Sequence, residues 1–175
     1  MYEKLSSLKK RLQQMKQNRT TRQNGQTFHF SPFSKKQKQV LTWWCKESPV
    51  HDKDGIIADG AIRSGKTVSM SLSFVMWAMS GFAGQNFAMC GKTIGSFRRN
   101  VLFWLKLMLR SRGYSITDHR ADNLVVVRKN SIENYFYIFG GKDERSQDLI
   151  QGITLAGVFF DEVALMPESF VNQAT

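Results

Sequence analysis

The stretch GAIRSGKT at positions 60–67 decides the fold, because it fits the pattern G-x-x-x-x-G-K-[S/T] at every fixed position. A short apolar run precedes it at 55–59, and a helix-forming run follows it at 66–79. In a strand–loop–helix unit, the backbone N–H groups of such a loop point at phosphate oxygens, and the N-terminus of the helix adds positive potential. We expect Lys66 to reach the β- and γ-phosphates of a nucleotide and Thr67 to place its hydroxyl on Mg²⁺.

A second motif, AGVFFDE at 156–162, is an apolar run that ends in Asp161 and Glu162. A strand here would hold both carboxylates at its carboxyl end, where open α/β sheets bind ligands. We expect Asp161 to hold Mg²⁺, directly or through water, and Glu162 to polarise the attacking water as a general base. Because a kinase needs no base that activates water, the pair favours a motor that hydrolyses its nucleotide.

Two further residues are weaker candidates for the same site. Arg63 lies inside the loop and could stabilise charge on the γ-phosphate in cis, although a surface arginine is the alternative. Gln37 carries an amide that can both donate to and accept from an adenine edge, although an ordinary glutamine on a helix surface is the alternative.

Apolar periodicity predicts alternating strands and helices along the body of the chain. The predicted helices cover 30–47, 66–79, 93–112 and the residues after Pro167, and the predicted strands cover 55–59, 86–90, 124–129, 132–139 and 155–160. Asn130-Ser131 predicts a hairpin, 142–151 a polar turn or short helix, and the continuous apolar run at 155–160 a central strand. The fold class is therefore α/β, with a mostly parallel sheet flanked by helices and a β-hairpin insertion.

Positive charge is concentrated at the N-terminus. The 175 residues carry 25 Lys and Arg against 14 Asp and Glu, a net charge of +11, and residues 1–40 hold ten of the bases and one acid. The remaining 135 residues net only +2. Leucines and a methionine at helical spacing predict a short amphipathic helix over 5–15, and the polar run 17–26 is typical of a linker. A basic arm predicts a nucleic-acid partner; a solubilising tail or an oligomerisation helix is the alternative.

Composition excludes several classes of protein. A hydrophobic fraction of 42%, with 13 Phe, is too high for a disordered polycation. Two cysteines, Cys45 and Cys90, make neither a disulfide framework nor a cysteine-rich metal site. No secretory signal is visible, and no apolar run reaches the roughly 18 residues of a membrane span. We therefore expect a soluble, cytoplasmic protein that does not act at a membrane.

Together the motifs resemble the N-terminal ATPase domain of phage terminase large subunits, the DNA-packaging motors of tailed phages and related prophages. The resemblance runs from about residue 28 to the end of the chain. It is carried by FSKKQKQVLTWW at 33–44, DGAIRSGKTVS at 59–69, CGKT at 90–93 and GGKDERSQDLIQGITLAGVFFDEVALMP at 140–167.

The resemblance implies a P-loop NTPase that uses ATP and Mg²⁺ to move double-stranded DNA into a procapsid in the bacterial host cell. Gln37 matches the family's adenine-reading glutamine, Arg63 its γ-phosphate-sensing arginine, and Asp161 and Glu162 its second ATP motif. The first ATP motif matches Gly60, Ala61, Ile62, Arg63, Ser64, Gly65, Lys66 and Thr67. The implied partners are the portal protein, the small terminase subunit and sister copies in a homo-oligomeric ring on the procapsid.

The chain also departs from the family pattern. Family members are usually more than twice as long, with a coupling motif and a nuclease domain after the acidic pair. We expect a basic arm and linker at 1–27, the N-terminal portion of the ATPase domain at 28–175, and no nuclease domain. In motors with this pair, the next strand usually inserts between the loop strand and the acidic strand, so we expect an incomplete sheet with two unpaired edges. The alternatives are a helicase-like motor, or an inactive truncated fragment that only binds nucleotide or DNA.

Overall fold

A five-stranded sheet with helices packed along it carries the candidate site. The computed structural model describes residues 32–61, 63–142 and 150–175, and Ser34–Thr175 form one compact unit. The strands are β1 (Asn86–Gly91), β2 (Ser115–His119), β3 (Leu124–Lys129), β4 (Ile132–Gly140) and β5 (Gly157–Phe160). The helices are α1 (Lys35–Leu41), α2 (Lys66–Gly81), α3 (Ile94–Phe97), α4 (Phe103–Ser111) and α5 (Glu168–Ala174). A π-helical turn, Arg98–Leu102, joins α3 to α4, and a 3₁₀ turn, Val163–Leu165, precedes α5.

The strand order is β2-β3-β4-β1-β5. Strands β4, β1 and β5 are parallel, whereas β2, β3 and β4 form an antiparallel extension. The predicted α/β class and the hairpin insertion are both confirmed, with Asn130 in the left-handed conformation (φ 54°) that its turn requires. Strand β2 was not predicted from the sequence, because SITDH contains a single strongly apolar residue.

Two strand predictions need correction. The run 155–160 was expected to be a central strand, but β5 covers only Gly157–Phe160 and lies at the edge of the described sheet. The run 55–59 was expected to be a strand, but it forms none, and Ile57 is 96% exposed. Among the described residues, β5 pairs with β1 on one side and with no strand on the other.

Helix α1 is shorter than the predicted 30–47. Ser34 caps its start, and the Gln37 side chain accepts a hydrogen bond from the backbone N–H of Ser34, which completes a capping box. The helix ends at Leu41; the hydroxyl of Thr42, its C-cap, donates to the Lys38 carbonyl at 3.0 Å, and turns follow to residue 54. The β-branched and aromatic run TWW has low helix propensity, which accounts for the early end.

The predicted helix over 93–112 is present, but the π-helical turn interrupts it. Its start carries a capping box between Thr93 and Ser96, and Gly113 follows its end with a φ of 82°. The apolar face is the predicted one, because the four side chains expected to line it are almost fully buried: Phe97, Val101, Leu105 and Leu109. The extra residue of a π turn shifts the side chains on either side of it relative to a regular helix.

Helix α2 packs its aromatic side chains against β1 and β4. The rings of Phe87 and Phe136 stack at 5.1 Å, and the ring of Phe74 meets both edge-on. Asn134 is fully buried; its amide nitrogen donates to the carbonyls of Ala78 and Phe82, and its oxygen accepts from the N–H of Gln85. These contacts fix the end of α2 against the sheet, and so they orient the start of α2, where the candidate phosphate loop (residues 60–67, called the phosphate loop below) ends.

Some predictions fall outside the described residues. The basic arm and linker at 1–27 and the amphipathic helix at 5–15 are among them, as is most of the polar segment 142–151. Within the described part of the chain, none of the helices combines the length and the apolar character that crossing a bilayer requires.

A partly buried ion cluster ties the interrupted helix to β2. The Asp118 carboxylate accepts hydrogen bonds from Arg98 at 2.8 Å and from Lys106 at 2.7 Å. Burial by itself raises the pKa of Asp118, but the hydrogen bonds and charges of Lys106 and Arg98 outweigh it, so the pKa lies below its ordinary value.

Replacing Asp118 by Asn should destabilise the fold by about 1.5–3 kcal/mol at neutral pH, the usual contribution of hydrogen bonds to charged groups. A lowered folded-state pKa stabilises the fold above the unfolded-state pKa of about 3.9, and this stabilisation is lost as the pH falls through the folded-state pKa. Urea unfolding at a series of pH values should therefore show the gap between wild type and Asp118→Asn closing below about pH 4. Asp122→Asn, an exposed neighbour, is the matched control. A gap that does not change with pH would contradict the assignment.

Candidate nucleotide site

The phosphate loop is folded by two glycines with positive φ. Gly60 has a φ of 146° and Gly65 a φ of 81°, conformations that side chains rarely adopt. A Cβ on Gly65 would also collide with the side-chain amide nitrogen of Gln37. Gly65 is the N-cap of α2 and has no side chain to cap the helix, so the first N–H groups of α2 stay available for phosphate oxygens.

Lys66 closes the loop on itself. Its ammonium group donates to the carbonyl oxygens of Gly60 at 2.5 Å and of Ala61 at 2.8 Å. These bonds hold the positive charge across the mouth of the loop, between the backbone at its start and the first turn of α2. Phosphate oxygens bound in the loop would offer that ammonium group stronger, charged acceptors than the two carbonyls.

Thr67 and Asp161, 94 positions apart, meet in the fold. The Thr67 hydroxyl donates to Asp161 Oδ1 at 2.8 Å, which joins the start of α2 to the end of β5. The backbone N–H of Asp161 donates to the carbonyl of Cys90 at 2.9 Å, so the β1–β5 ladder extends one residue past the strand and fixes the carboxylate. The two sequence motifs therefore share one edge of the sheet.

The Asp161 carboxyl group is poorly compensated in this environment. Burial raises its pKa, the hydrogen bond from Thr67 lowers it, and the charge of Glu162 raises it, so the pKa lies above its ordinary value. Asp161 and Thr67 supply the hard oxygen ligands that Mg²⁺ prefers, and the described residues contain no group of three or more His, Cys, Asp or Glu that could hold a metal by itself. A cation here would depend on phosphate oxygens and water for its remaining ligands.

Glu162 adopts a conformation unusual for a residue with a side chain. Its φ is 59°, and it is the N-cap of the 3₁₀ turn that follows β5. The side chain is exposed and makes no hydrogen bond or ion pair with the residues that the structure describes. Strained left-handed residues cluster at functional sites, and this one turns the chain sharply away from the sheet directly after Asp161.

The other predicted loop residues differ in what they contact. Arg63 is exposed, with a φ of 62°, and its side chain makes no hydrogen bond or ion pair with described residues, so its assigned role stays a prediction. Ile62 lies outside the described residues. Ser64 accepts a hydrogen bond through its carbonyl oxygen from Gln37 Nε2 at 2.9 Å.

Gln37 therefore contacts the phosphate loop directly. Its Oε1 accepts from the N–H of Ser34 at 2.8 Å, while its Nε2 donates to the loop. One lone pair on the oxygen and one N–H on the nitrogen remain for a further partner. The loop contact was not predicted from the sequence, although the S-x-x-Q capping box at 34–37 was readable and places this side chain at the start of α1.

Comparison with protein-family models gives no match, and neither does comparison with curated proteins. Solved structures do match. The large terminase of a thermophilic bacteriophage aligns with a TM-score of 0.80 and 71% identity over 82% of this chain and 36% of that one. Its complex with ADP aligns with a TM-score of 0.77 and 69% identity over 82% of this chain and 35% of that one. Its complex with ATP-γ-S aligns with a TM-score of 0.76 and 66% identity over 82% of this chain and 34% of that one.

The predicted P-loop NTPase fold and the predicted family are both confirmed by these matches. The chain spans about a third of the length of the terminases that it matches. ADP and ATP-γ-S are bound by the matched terminases, and these complexes support nucleotide binding at the level of the family. At this identity over most of its length, the chain belongs to the family of phage large terminases.

Proposed function

We propose that this chain is an ATP-binding and ATP-hydrolysing motor domain that couples hydrolysis to the translocation of double-stranded DNA into a phage procapsid. The single observation that carries the proposal is the 2.8 Å hydrogen bond between Thr67 and Asp161, because it brings the phosphate loop and the acidic pair to one site. The likeness to large terminases in complex with ADP and ATP-γ-S supports it.

Binding begins with the triphosphate entering the loop between Gly60 and Thr67. The backbone N–H groups of the loop and of the first turn of α2 donate to the phosphate oxygens. Lys66 gives up the carbonyls of Gly60 and Ala61 and turns its ammonium group to the β- and γ-phosphates. Gln37, held at the loop by Ser64, uses its remaining donor and acceptor on the adenine edge.

Hydrolysis uses the two carboxylates in different roles. Thr67 and Asp161 would hold Mg²⁺, which would supply positive charge to offset that of the phosphate oxygens. Glu162 accepts a proton from the water whose oxygen attacks the γ-phosphorus, while the bond from that phosphorus to the β–γ bridging oxygen breaks. Arg63 stabilises the charge that develops on the phosphoryl oxygens. The products are ADP and inorganic phosphate.

The partners follow from the family and from charge. The basic arm at 1–27 contacts the DNA, and the motor works as a homo-oligomeric ring on the procapsid with the portal protein and the small terminase subunit. The site of action is the cytoplasm of the host cell.

One observation favours a second candidate, a chain that binds nucleotide with little turnover. Residues 55–61 form no strand, and β5 lies at the edge of the described sheet. The side-chain bond between Thr67 and Asp161 therefore links the loop to the acidic pair without a backbone ladder between 55–61 and β5.

Lys66→Ala should weaken binding of Mg-ATP at least about tenfold, since hydrogen bonds to charged groups are worth roughly 1.5–3 kcal/mol. Isothermal titration calorimetry on the full chain measures the affinity. Lys46→Ala removes an equal charge from an exposed position outside the loop and is the matched control. Equal affinities for wild type and Lys66→Ala would overturn the assignment of the loop.

Glu162→Gln should lower ATP turnover by about 10²–10⁴-fold and leave ATP affinity unchanged, because the water loses its base but the phosphate contacts remain. A phosphate-release assay measures turnover, and Glu168→Gln, another exposed acid, is the control. Wild-type turnover in Glu162→Gln would refute the role given to this residue. A wild-type chain that binds ATP in a Lys66-dependent way without turnover would establish the second candidate.

Gln37→Ala tests whether the amide recognises adenine or only supports the loop. We expect the affinity for ATP to fall several-fold and the affinity for inorganic tripolyphosphate, which lacks adenine, to remain at the wild-type value. The exposed Gln39→Ala on the same helix is the control. Equal losses for both ligands would show that Gln37 acts through its bond to Ser64 instead.

A further inference from the structure

A depression of about 450 Å³ lies between the π-helical turn and the turn that joins β2 to β3. We call it the arginine depression, and its lining residues are Gly95, Arg98, Arg99, Phe103 and Arg120. Three of the five lining residues are arginines and none is acidic. Such a lining fits an anionic ligand, and a depression open to solvent fits a large one.

The charge of the surrounding sequence points the same way. Residues 92–129 contain nine Lys and Arg against two Asp, a net charge of +7, whereas residues 41–175 as a whole net only +2. The rest of the body is therefore net negative, and the average over the body hides the basic segment. A positive field confined to one helix and one hairpin is the electrostatic footprint of a polyanion-binding surface.

The three arginines do not have the same task. Arg98 is 12% exposed and is held by Asp118 at 2.8 Å and by Asn123 at 3.4 Å, so it is a structural residue of the depression. Arg99 and Arg120 are exposed, and their side chains have no hydrogen-bond or ion-pair partner among the described residues. Their guanidinium groups can therefore bind an incoming ligand without first breaking a contact within the described fold.

The aromatic residues favour contact with a nucleic-acid backbone. Phe103 is 44% exposed in the depression, and its ring lies 5.1 Å from that of Trp104. An apolar surface beside guanidinium groups suits the alternation of sugar and phosphate along a strand. Arginine contacts to phosphates position a duplex without reading its sequence, which is what translocation of arbitrary DNA requires.

The position of the depression relates it to the nucleotide site. Strand β2 runs in the same direction as β1 and β5, so Arg120, after β2, and Asp161, after β5, lie at the same edge of the sheet. Four strand spacings separate them, which is about 19 Å. The two sites are therefore distinct but share one edge.

A short backbone route connects the two sites. The N–H of Asp161 bonds to the carbonyl of Cys90, and α3 starts at Ile94, four residues further along the chain. Arg98 and Arg99 follow within the next turn and a half. A displacement of the Asp161 segment would act directly on the end of β1, from which the helix that carries these arginines begins.

We propose that Arg99 and Arg120 bind the phosphate backbone of double-stranded DNA, so that the motor body holds the duplex at the arginine depression in addition to any contact with the basic arm. The proposal rests on the proposed function for its choice of duplex DNA among polyanions. Phe103 packs against the deoxyribose of the bound strand, and Arg98 positions the helix that presents Arg99.

The test measures how the affinity of the full chain for a duplex of about 30 base pairs depends on salt. Fluorescence anisotropy is used with wild type and with the double variant Arg99→Gln/Arg120→Gln. Each phosphate contact contributes a slope of about −0.9 to log K against log salt concentration, so the double variant should have a slope shallower by about 1.8. Lys46→Gln/Lys53→Gln removes the same charge from exposed positions outside 92–129 and should leave the slope within about 0.5 of wild type, because no phosphate contact is lost.

Further variants separate contact from folding and from bulk charge. Arg99→Lys/Arg120→Lys keeps both charges and should retain most of the slope. The thermal unfolding midpoint of every variant should match that of wild type, since all the substituted side chains are exposed. An unchanged slope in Arg99→Gln/Arg120→Gln, or an equal change in both glutamine variants, would overturn the proposal.

A separate measurement tests a competing class of ligand, acidic proteins. Polyglutamate carries carboxylates without sugar or phosphate, and loss of polyglutamate binding in Arg99→Gln/Arg120→Gln with unchanged duplex binding would reassign the depression to an acidic protein and overturn the proposal. ATP affinity is measured in parallel. If the wild type does not bind ATP but the duplex measurements give the expected result, the proposed ATPase function is refuted and the DNA surface is retained. If Arg99→Gln/Arg120→Gln has the wild-type salt slope while ATP binding depends on Lys66, the DNA surface alone is refuted.

Discussion

The hydrogen bond from the Thr67 hydroxyl to the Asp161 carboxylate is the contact on which the candidate site depends. Neither partner is held by local structure alone. Thr67 is placed because α2 is anchored on β1 and β4 by aromatic packing and by Asn134, and Asp161 is placed because β5 pairs with β1. Strand β1, which pairs with β4 on one side and with β5 on the other, therefore connects the elements that place the two motifs.

The hydrogen bond from Thr67 offsets only part of the unfavourable environment of the Asp161 carboxylate. Burial raises the pKa of Asp161, which means that its ionised form is disfavoured relative to water, and one neutral hydroxyl offsets this only in part. Glu162 next to it adds a like charge and a left-handed backbone. A bound cation would stabilise two carboxylates in such a position, and local strain of this kind is expected where function, not folding, has selected the residues.

Local patterns in the sequence were sufficient for elements whose identity depends on their own residues. The start of α2 at Lys66, the turn at Asn130 and the buried face of the helix from Ile94 to Ser111 follow from spacing and from turn-forming residues. The segment 55–59 has the apolar character of a strand as well, but a strand also needs a partner, and the sequence pattern carries no information about one. The run at 155–160 likewise indicates burial without revealing that β5 lies at an edge. For the site, the two motifs predicted that Thr67 and Asp161 would lie together, because both were assigned to one Mg²⁺. The bond between Gln37 and Ser64 depends on how α1 packs against the loop, and the arginine depression was hidden by averaging charge over the body.

Nucleotide binding and hydrolysis make different demands on this sheet. In the proposed function, binding needs the loop, Lys66 and the first turn of α2, which belong to one continuous segment of the chain. In the same proposal, hydrolysis also needs Glu162 aligned with the γ-phosphate to within roughly 0.5 Å, and Glu162 lies outside that segment, just after β5. With 55–61 outside the sheet and β5 at the edge of its described part, that alignment depends on the Thr67–Asp161 bond and on the pairing of β5 with β1. Perturbation of the β5 edge should therefore affect turnover far more than affinity, because only turnover requires the two segments to be in register.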